Sequence, residues 1–377
     1  MVNIELLVKE LQNIGIHFFT GVPDSLLNDF CLYITENLPC NNHVMAANEG
    51  NAIAIATGNY LATGDIPLVY MQNSGVGNSM NPLLSLTHKD VYGIPMVLVI
   101  GWRGDPSVKD HAQHKKQGEL TPVLMKDMDI PYDILDCDET VLSRFKWAVK
   151  TAKEISSPVA LLVKKAILTK KEKHQMYKEN GLMSREEAIS VVIDTIGRDA
   201  VYLATTGRAT RELHEQLIMK GISSEIEFLN VGAMGHLSSI GLGIALARSD
   251  KKVVVFDGDA ASIMHMGSFA TIGRYTPKNL IHIVLNNGVN ESVGGQPSPG
   301  YIVNLSGVAE SCRIKTAGRY IDNKKELSHT LLSLIEDQDV PVFIDVHVRQ
   351  GIRSDLPKLA INHQDSKKAI QKYLTKK

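Results

Sequence analysis

Cysteine is scarce: four in 377 residues (Cys31, Cys40, Cys137 and Cys312), none spaced as a pair. That excludes a disulfide framework and paired zinc ligands, and it points to reduced thiols and a cytoplasmic location. Long apolar runs are missing too. None approaches the roughly 20 residues that span a bilayer, and the opening Met1-Val2-Asn3-Ile4-Glu5 has neither a basic region nor a signal-like core. Nor is there an excess of charge: 40 basic residues face 41 acidic ones, which argues against a nucleic-acid or membrane-surface partner. Low-complexity segments are absent. What is present is 44% apolar residues, enough for two or three soluble domains with real cores.

Strand-like and helix-like periods alternate along both halves, which favours an α/β fold with parallel sheets. Strands are expected near 17–19, 44–46, 68–71 and 96–100, then near 201–203, 226–229, 253–256, 281–285 and 342–346. The polar stretch 169–184 reads as a surface linker or a charged helix between a domain at 1–168 and another at 185–360. The basic tail 361–377 reads as a solvated helix.

Two segments carry the chemistry. Val253-Val254-Val255-Phe256 runs into the acidic turn Gly258-Asp259-Ala260-Ala261, and a second apolar run, 280–285, ends in Asn286-Asn287-Gly288. Neighbouring parallel strands deliver their C-terminal loops to one edge, where ligands collect. A carboxylate and an amide oxygen meeting there form a hard site that suits Mg2+ shared with a bound phosphate or diphosphate. The alternative is an ordinary Asp turn and an Asn-rich loop. Upstream, Thr205-Thr206-Gly207 follows the strand at 201–203 and precedes a helix at 212–219. Backbone amides and a hydroxyl at a helix start suit a diphosphate, though Thr-Gly after a strand is also common turn chemistry. Met234, in Gly232-Ala233-Met234-Gly235, reads alone as a core methionine beside a helix start. Glu49 stands where an apolar strand enters a small-residue helix, a position that the helix dipole by itself favours.

Together these segments resemble the thiamine diphosphate (ThDP) enzymes. The metal-diphosphate motif of that family is a Gly-Asp-Gly followed by Asn-Asn; here Ala260 takes the last Gly position, and Asp259 lies 28 positions before Asn287. The resemblance implies two doubly wound parallel-sheet domains of the ThDP-binding fold. A pyrimidine-binding domain would be followed by a diphosphate-binding domain, with no room for a middle domain. It makes Asp259, Asn287 and the carbonyl of Val289 the Mg2+ ligands. Thr206, Gly207, Met234, Gly258, Ala260 and Ala261 would line the cofactor, with Met234 as the wedge that bends it. Glu49 would be the acid bonded to N1′ of the aminopyrimidine, a task that needs burial to hold its proton.

The compact form narrows the resemblance to the phosphonopyruvate decarboxylases within the ThDP-dependent 2-keto acid decarboxylase family. It rests on Phe19-Thr20-Gly21-Val22-Pro23-Asp24, Gly101-Trp102-Arg103-Gly104-Asp105, Lys109-Asp110-His111-Ala112-Gln113-His114, Met264-His265-Met266-Gly267 and Ser292-Val293-Gly294-Gly295-Gln296-Pro297, and it covers roughly residues 1–355. The implied reaction converts 3-phosphonopyruvate to phosphonoacetaldehyde and CO2, in phosphonate biosynthesis. An α-keto acid has no neighbouring carbonyl to accept the electrons released with CO2, so the cofactor supplies that sink. The protein must position the substrate, dry the cleft and deliver a proton. Asp24 and His114 are the candidates for the proton; their alternatives are a helix N-cap and a solvated loop residue.

A phosphonate calls for cations, and Arg103, Lys109, His111, Lys115 and Lys116 share one loop. Arg103 and Lys109 are the preferred pair, with Ser292 and Gln296 as polar donors. The alternative is a wet charged loop. The resemblance also implies a homodimer or homotetramer, with Glu49 of one subunit serving the cofactor held by Asp259 of another. Two other activities remain open: sulfopyruvate decarboxylation, which differs mainly in the charge of the substrate, and ThDP-dependent carboligation. Retention of Glu49, Asp259 and Asn287 argues against a non-catalytic relative.

Overall fold

Four apolar residues in a row, Val97-Leu98-Val99-Ile100, cannot show the alternation of a half-exposed strand. They belong in a strand covered on both faces, as in parallel sheets flanked by helices. The computed structural model places them so. It describes residues 2–169, 181–336, 339–359 and 361–376. Val97 and Val99 enter one apolar cluster, with Phe19, Phe30 and Phe145, while Leu98 and Ile100 enter another, with Ile53, Met71 and Met125. The two-residue period of a strand thus feeds two cores, one on each face.

The chain forms two compact units, one from the described residues before 170 together with Val293–Gln296, the other from the remainder. The strands of the first are β1 (Phe19–Gly21), β2 (His43–Met45), β3 (Leu68–Gln72), β4 (Val97–Gly101), β5 (Tyr132–Leu135) and β6 (Val159–Val163). They lie in the order β2-β1-β3-β4-β6-β5, and all these pairings are parallel. The strands of the second are β7 (Ala200–Ala204), β8 (Glu227–Leu229), β9 (Lys252–Gly258), β10 (Leu280–Asn286), and two further strands at Lys315–Thr316 and Val342–His347. From one edge the order is Lys315–Thr316, Val342–His347, β10, β9, β7, β8, again parallel throughout. Here Val254 and Phe256 serve one core, Val253 and Val255 the other. Truncating Phe256, which is fully buried, to alanine would cost about 3–5 kcal/mol.

Two doubly wound parallel sheets with no third domain between them are what the sequence led us to expect. Strands β5 and β6 and the short Lys315–Thr316 were not anticipated. Most of the polar stretch at 169–184 lies outside the described residues, but its end is informative. Ser184 accepts from Glu187 N (3.1 Å) while Glu187 accepts from Ser184 N (2.7 Å), a capping box that starts the helix Arg185–Ile196. The basic tail differs from expectation. It is helical over His363–Thr375, but Ile370, Tyr373 and Leu374 form an apolar edge that packs with Phe228, Ile240 and Ile244, so only the rest of its surface is solvated.

Candidate active site

The connections of the second sheet reverse direction at β7. The chain steps outward from β7 to β8, then returns to β9 on the other side, so β7 and β9 bound a topological switch point, the crevice in which open α/β sheets bind ligands. The segments leaving β7 and β9, and the loop after β10, line one pocket there. Gly258 of β9 lies abreast of Leu285 of β10, so Asp259 and Asn287 emerge at the same edge within a residue of each other. Thr206, Gly207, Met234, Gly258, Asp259, Ala260, Ala261, Asn287, Val289 and Ser292 all reach this pocket. Gln296 does not line it; its side-chain amide donates to Val293 O at 3.1 Å.

Gly207 sets the helix Arg208–Met219 against the pocket. Its φ of 101° is open to glycine and strained for other residues, and the residues that open the helix, Arg208 and Ala209, line the crevice. Asp259 opens the short helix Asp259–Met264 and is 3% exposed. Burial pushes its carboxyl up to about 6, against hydrogen bonds from Ser298 and from the Ala260 amide. Asn287 Oδ1 accepts from Val289 N at 3.2 Å.

These residues fit a metal-bound diphosphate on three observations. Asp259, Asn287 and Val289 bring carboxylate, amide and carbonyl oxygens to the pocket, which suits a hard divalent ion. A buried carboxyl that burial holds back from ionising gains most from a cation beside it. Thr205 Oγ1, on a residue lining the pocket, is buried with no hydrogen-bond partner among the described residues, and such an orphan calls for a bound group or water.

In the first sheet the reversal falls between β1 and β3. Asp24, just past β1, is fully buried; Gln72 Nε2 donates to its Oδ1 (2.5 Å) and Leu26 N to its Oδ2 (3.0 Å), and burial pushes its carboxyl up. Glu49 begins the helix Glu49–Thr63, which Asn48 caps by accepting from Asn51 N at 2.9 Å. It is 5% exposed, and Asn78 Nδ2 donates to its Oε2 at 2.7 Å. A β-carbon at Gly75 would overlap the Glu49 carboxylate.

Arg103 and Lys109 line one cleft, which also takes in Lys164 and Lys165 beyond β6. Lys109 is exposed, whereas the Arg103 guanidinium is engaged: Asp110 accepts from Nε (2.8 Å) and Nη2 (2.7 Å), and Ser25 from Nη1 (3.0 Å). His114, on the helix Ala112–Asp127, is half-buried; burial, and then the charge of Arg103, lower it to about 4, so it is neutral at pH 7.

Comparison with known proteins decides the family. The profile of the thiamine pyrophosphate enzyme N-terminal TPP binding domain matches residues 1–125, and that of the C-terminal TPP binding domain matches 205–346. The chain belongs to the thiamine diphosphate enzymes. A phosphonopyruvate decarboxylase of Streptomyces viridochromogenes is 29% identical over 100% of this chain and 96% of its own. One from Streptomyces hygroscopicus is 28% identical, covering 100% and 94%. A sulfopyruvate decarboxylase of Methanosarcina acetivorans is 26% identical, covering 98% and 97%. As a ThDP enzyme this chain also carries pocket residues that the sequence reading passed over, notably Arg185, Arg208, Asp257 and Glu291. Arg208 directly follows Thr-Thr-Gly and Glu291 lies four residues past Asn287, so proximity to the motifs was the available signal.

Proposed function

We propose that this ThDP-dependent carboxy-lyase converts 3-phosphonopyruvate to phosphonoacetaldehyde and CO2, in phosphonate biosynthesis, with Mg2+ as the metal. The observation that carries this reading is similarity along the whole chain to two phosphonopyruvate decarboxylases, at 29% and 28% identity. Sulfopyruvate decarboxylation is the second reading, favoured by the 26% identity over 98% of the chain to an enzyme of that name.

The residues divide the work as follows. Asp259, Asn287 Oδ1 and the Val289 carbonyl would hold Mg2+. The amides at Thr206 and Gly207 would bind the diphosphate, and Met234, Gly258, Ala260 and Ala261 would shape the walls around it. When bound, the cofactor supplies the electron sink that an α-keto acid lacks. Glu49, enclosed beside Gly75 and Asn78, would offer its carboxyl to the aminopyrimidine N1′. Asp24, whose burial favours its protonated form, is suited to deliver a proton to the carbon that has lost CO2. His114, neutral at pH 7, can relay one. For the phosphonate, exposed Lys109 offers a charge and Arg103, already paired with Asp110, a guanidinium in the same cleft, with Ser292 and Gln296 as polar donors. The working form is a homodimer or homotetramer in which Glu49 and Asp259 of different subunits serve one cofactor.

The test is CO2 release from phosphonopyruvate, sulfopyruvate and pyruvate, with ThDP and Mg2+ supplied or withheld. Cofactor-dependent turnover that prefers phosphonopyruvate and yields phosphonoacetaldehyde supports the reading. Preference for sulfopyruvate keeps the chemistry and changes the substrate, and no turnover of any of the three overturns it.

A further inference from the structure

The Glu291 carboxylate is saturated with donors. Its Oε1 accepts from Arg208 Nη1 (2.7 Å) and Gly351 N (2.5 Å), and its Oε2 from Arg185 Nη1 (2.9 Å) and Asn287 Nδ2 (3.1 Å). Two of these four donors are guanidinium groups, those of Arg185 and Arg208, so both carboxylate oxygens are held as acceptors. Arg185 is itself buried and gives its Nε and Nη2 to Glu212 at 2.5 and 2.9 Å. Two guanidinium groups and two carboxylates make this network neutral and fixed from several directions, which is the condition for a buried charge to persist.

A carboxylate whose oxygens take two guanidinium groups and a backbone amide has only acceptor positions to offer a further neighbour. The side chain of Asn287 has one accepting end and one donating end, nearly equal in shape, and only the donating end can face Glu291. Its oxygen is thereby turned the other way, where it takes the Val289 amide and keeps a second lone pair for the pocket. We infer that Glu291 is a positioning residue that fixes which end of the Asn287 amide is presented to the cation, so that oxygen and never nitrogen meets it. This rests on the assignment of Asn287 as a metal ligand. It explains why an amide, free to turn over in isolation, can serve a hard cation that rejects neutral amide nitrogen.

The test uses Mn2+ as the probe, titrated into the full-length protein with saturating ThDP and followed by the loss of the free-ion electron paramagnetic resonance signal. Loss of a partner behind a metal ligand typically weakens the metal by 10–100-fold, so Glu291→Gln, which can donate as well as accept, is expected to weaken Mn2+ by roughly 10-fold. Asn287→Asp alone is also expected to weaken it, because two carboxylates would then face each other. The double variant Asn287→Asp with Glu291→Gln is expected to bind better than either single variant, since a carboxylate presents oxygen whichever way it turns. Parent-like affinity in Glu291→Gln, or a double variant no better than the singles, overturns the inference. If Glu291→Gln fails to fold, Asn287→Asp alone decides: parent-like Mn2+ binding there overturns it. Asn287→Ala separates the two levels, for unchanged Mn2+ affinity in that variant would refute the metal assignment itself.

Discussion

Gly75 has no side chain where the carboxylate of Glu49 lies; a single β-carbon there would overlap both the carboxylate carbon and Oε1. The glycine leaves room for an acid that is otherwise enclosed and held by Asn78. Gly75→Ala should therefore act like a substitution of Glu49 itself. A fall in kcat of about 100-fold or more is expected, within the 10²–10⁴-fold range of acid–base catalysis, with the melting temperature little changed. Steady-state decarboxylation beside a thermal melt checks this.

Gly207 supplies a sparsely populated backbone conformation, φ 101° and ψ −130°, that costs a β-carbon-bearing residue about 1–3 kcal/mol. Gly207→Ala should shift the first amides of the helix Arg208–Met219 and weaken ThDP by about 10-fold, the factor that 1.4 kcal/mol represents. Titration calorimetry of ThDP with the metal present reads this directly. Unchanged affinity would mean that these amides do not hold the diphosphate.

Acid should loosen the first unit in two steps. His114 has a folded-state pKa of about 4 against an ordinary 6.5, so the unfolded chain binds its proton first, and stability present above pH 6.5 drains away as pH falls toward 4. Asp110 is held below the ordinary carboxylate range: burial raises it, but Arg103 and the amides of His111 and Gly104 more than offset this. Its contribution is complete above about pH 4 and is lost only below that. Thermal melts from pH 7 to 3 should show His114→Gln flattening the upper part of the profile. Asp110→Asn should lower stability at pH 7 and flatten the part below about pH 4.

Subunits carrying Glu49→Ala and subunits carrying Asp259→Ala should each be inactive alone. Mixed and allowed to exchange, they should recover activity at the sites that combine the two intact halves, about a quarter of the total if mixing is random and the state is a dimer. The measurement is CO2 release against mixing time, with hybrid formation shown by native mass spectrometry. Hybrids without recovered activity would place both residues' work within one subunit.

Sequence exposed the fold where local chemistry is decisive. Buried runs such as Val253 to Phe256 have no polar interruption and end in a turn, and the structure gives a strand there, Lys252–Gly258. β5 was not read because Tyr132–Leu135 is only half-buried at three of four positions and carries no clear alternation. β6 does have a local signal, for Val159–Val163 is a five-residue apolar run directly after Pro158. The pocket residues divide in the same way. Asp259 and Asn287 stand out beside glycines and strand ends, whereas Arg185 meets Glu212 across 27 positions and Glu291 across 106, and no local pattern marks such partners. The pairing of Arg103 with Asp110 was likewise hidden, because a loop rich in both signs does not declare which charges cancel.

The amphipathic edge of the C-terminal helix bears on how the protein behaves in concentrated solution. Ile370, Tyr373 and Leu374 cover an apolar strip that includes Phe228, Ile240 and Ile244, while Lys367, Lys368 and Lys372 dress the same short segment in positive charge. The segment is thus a cover and a dispersant at once. Removing it would uncover a greasy seam and strip away the like charges that keep neighbouring molecules apart, so a shortened chain would tend to precipitate even with its catalytic pocket untouched.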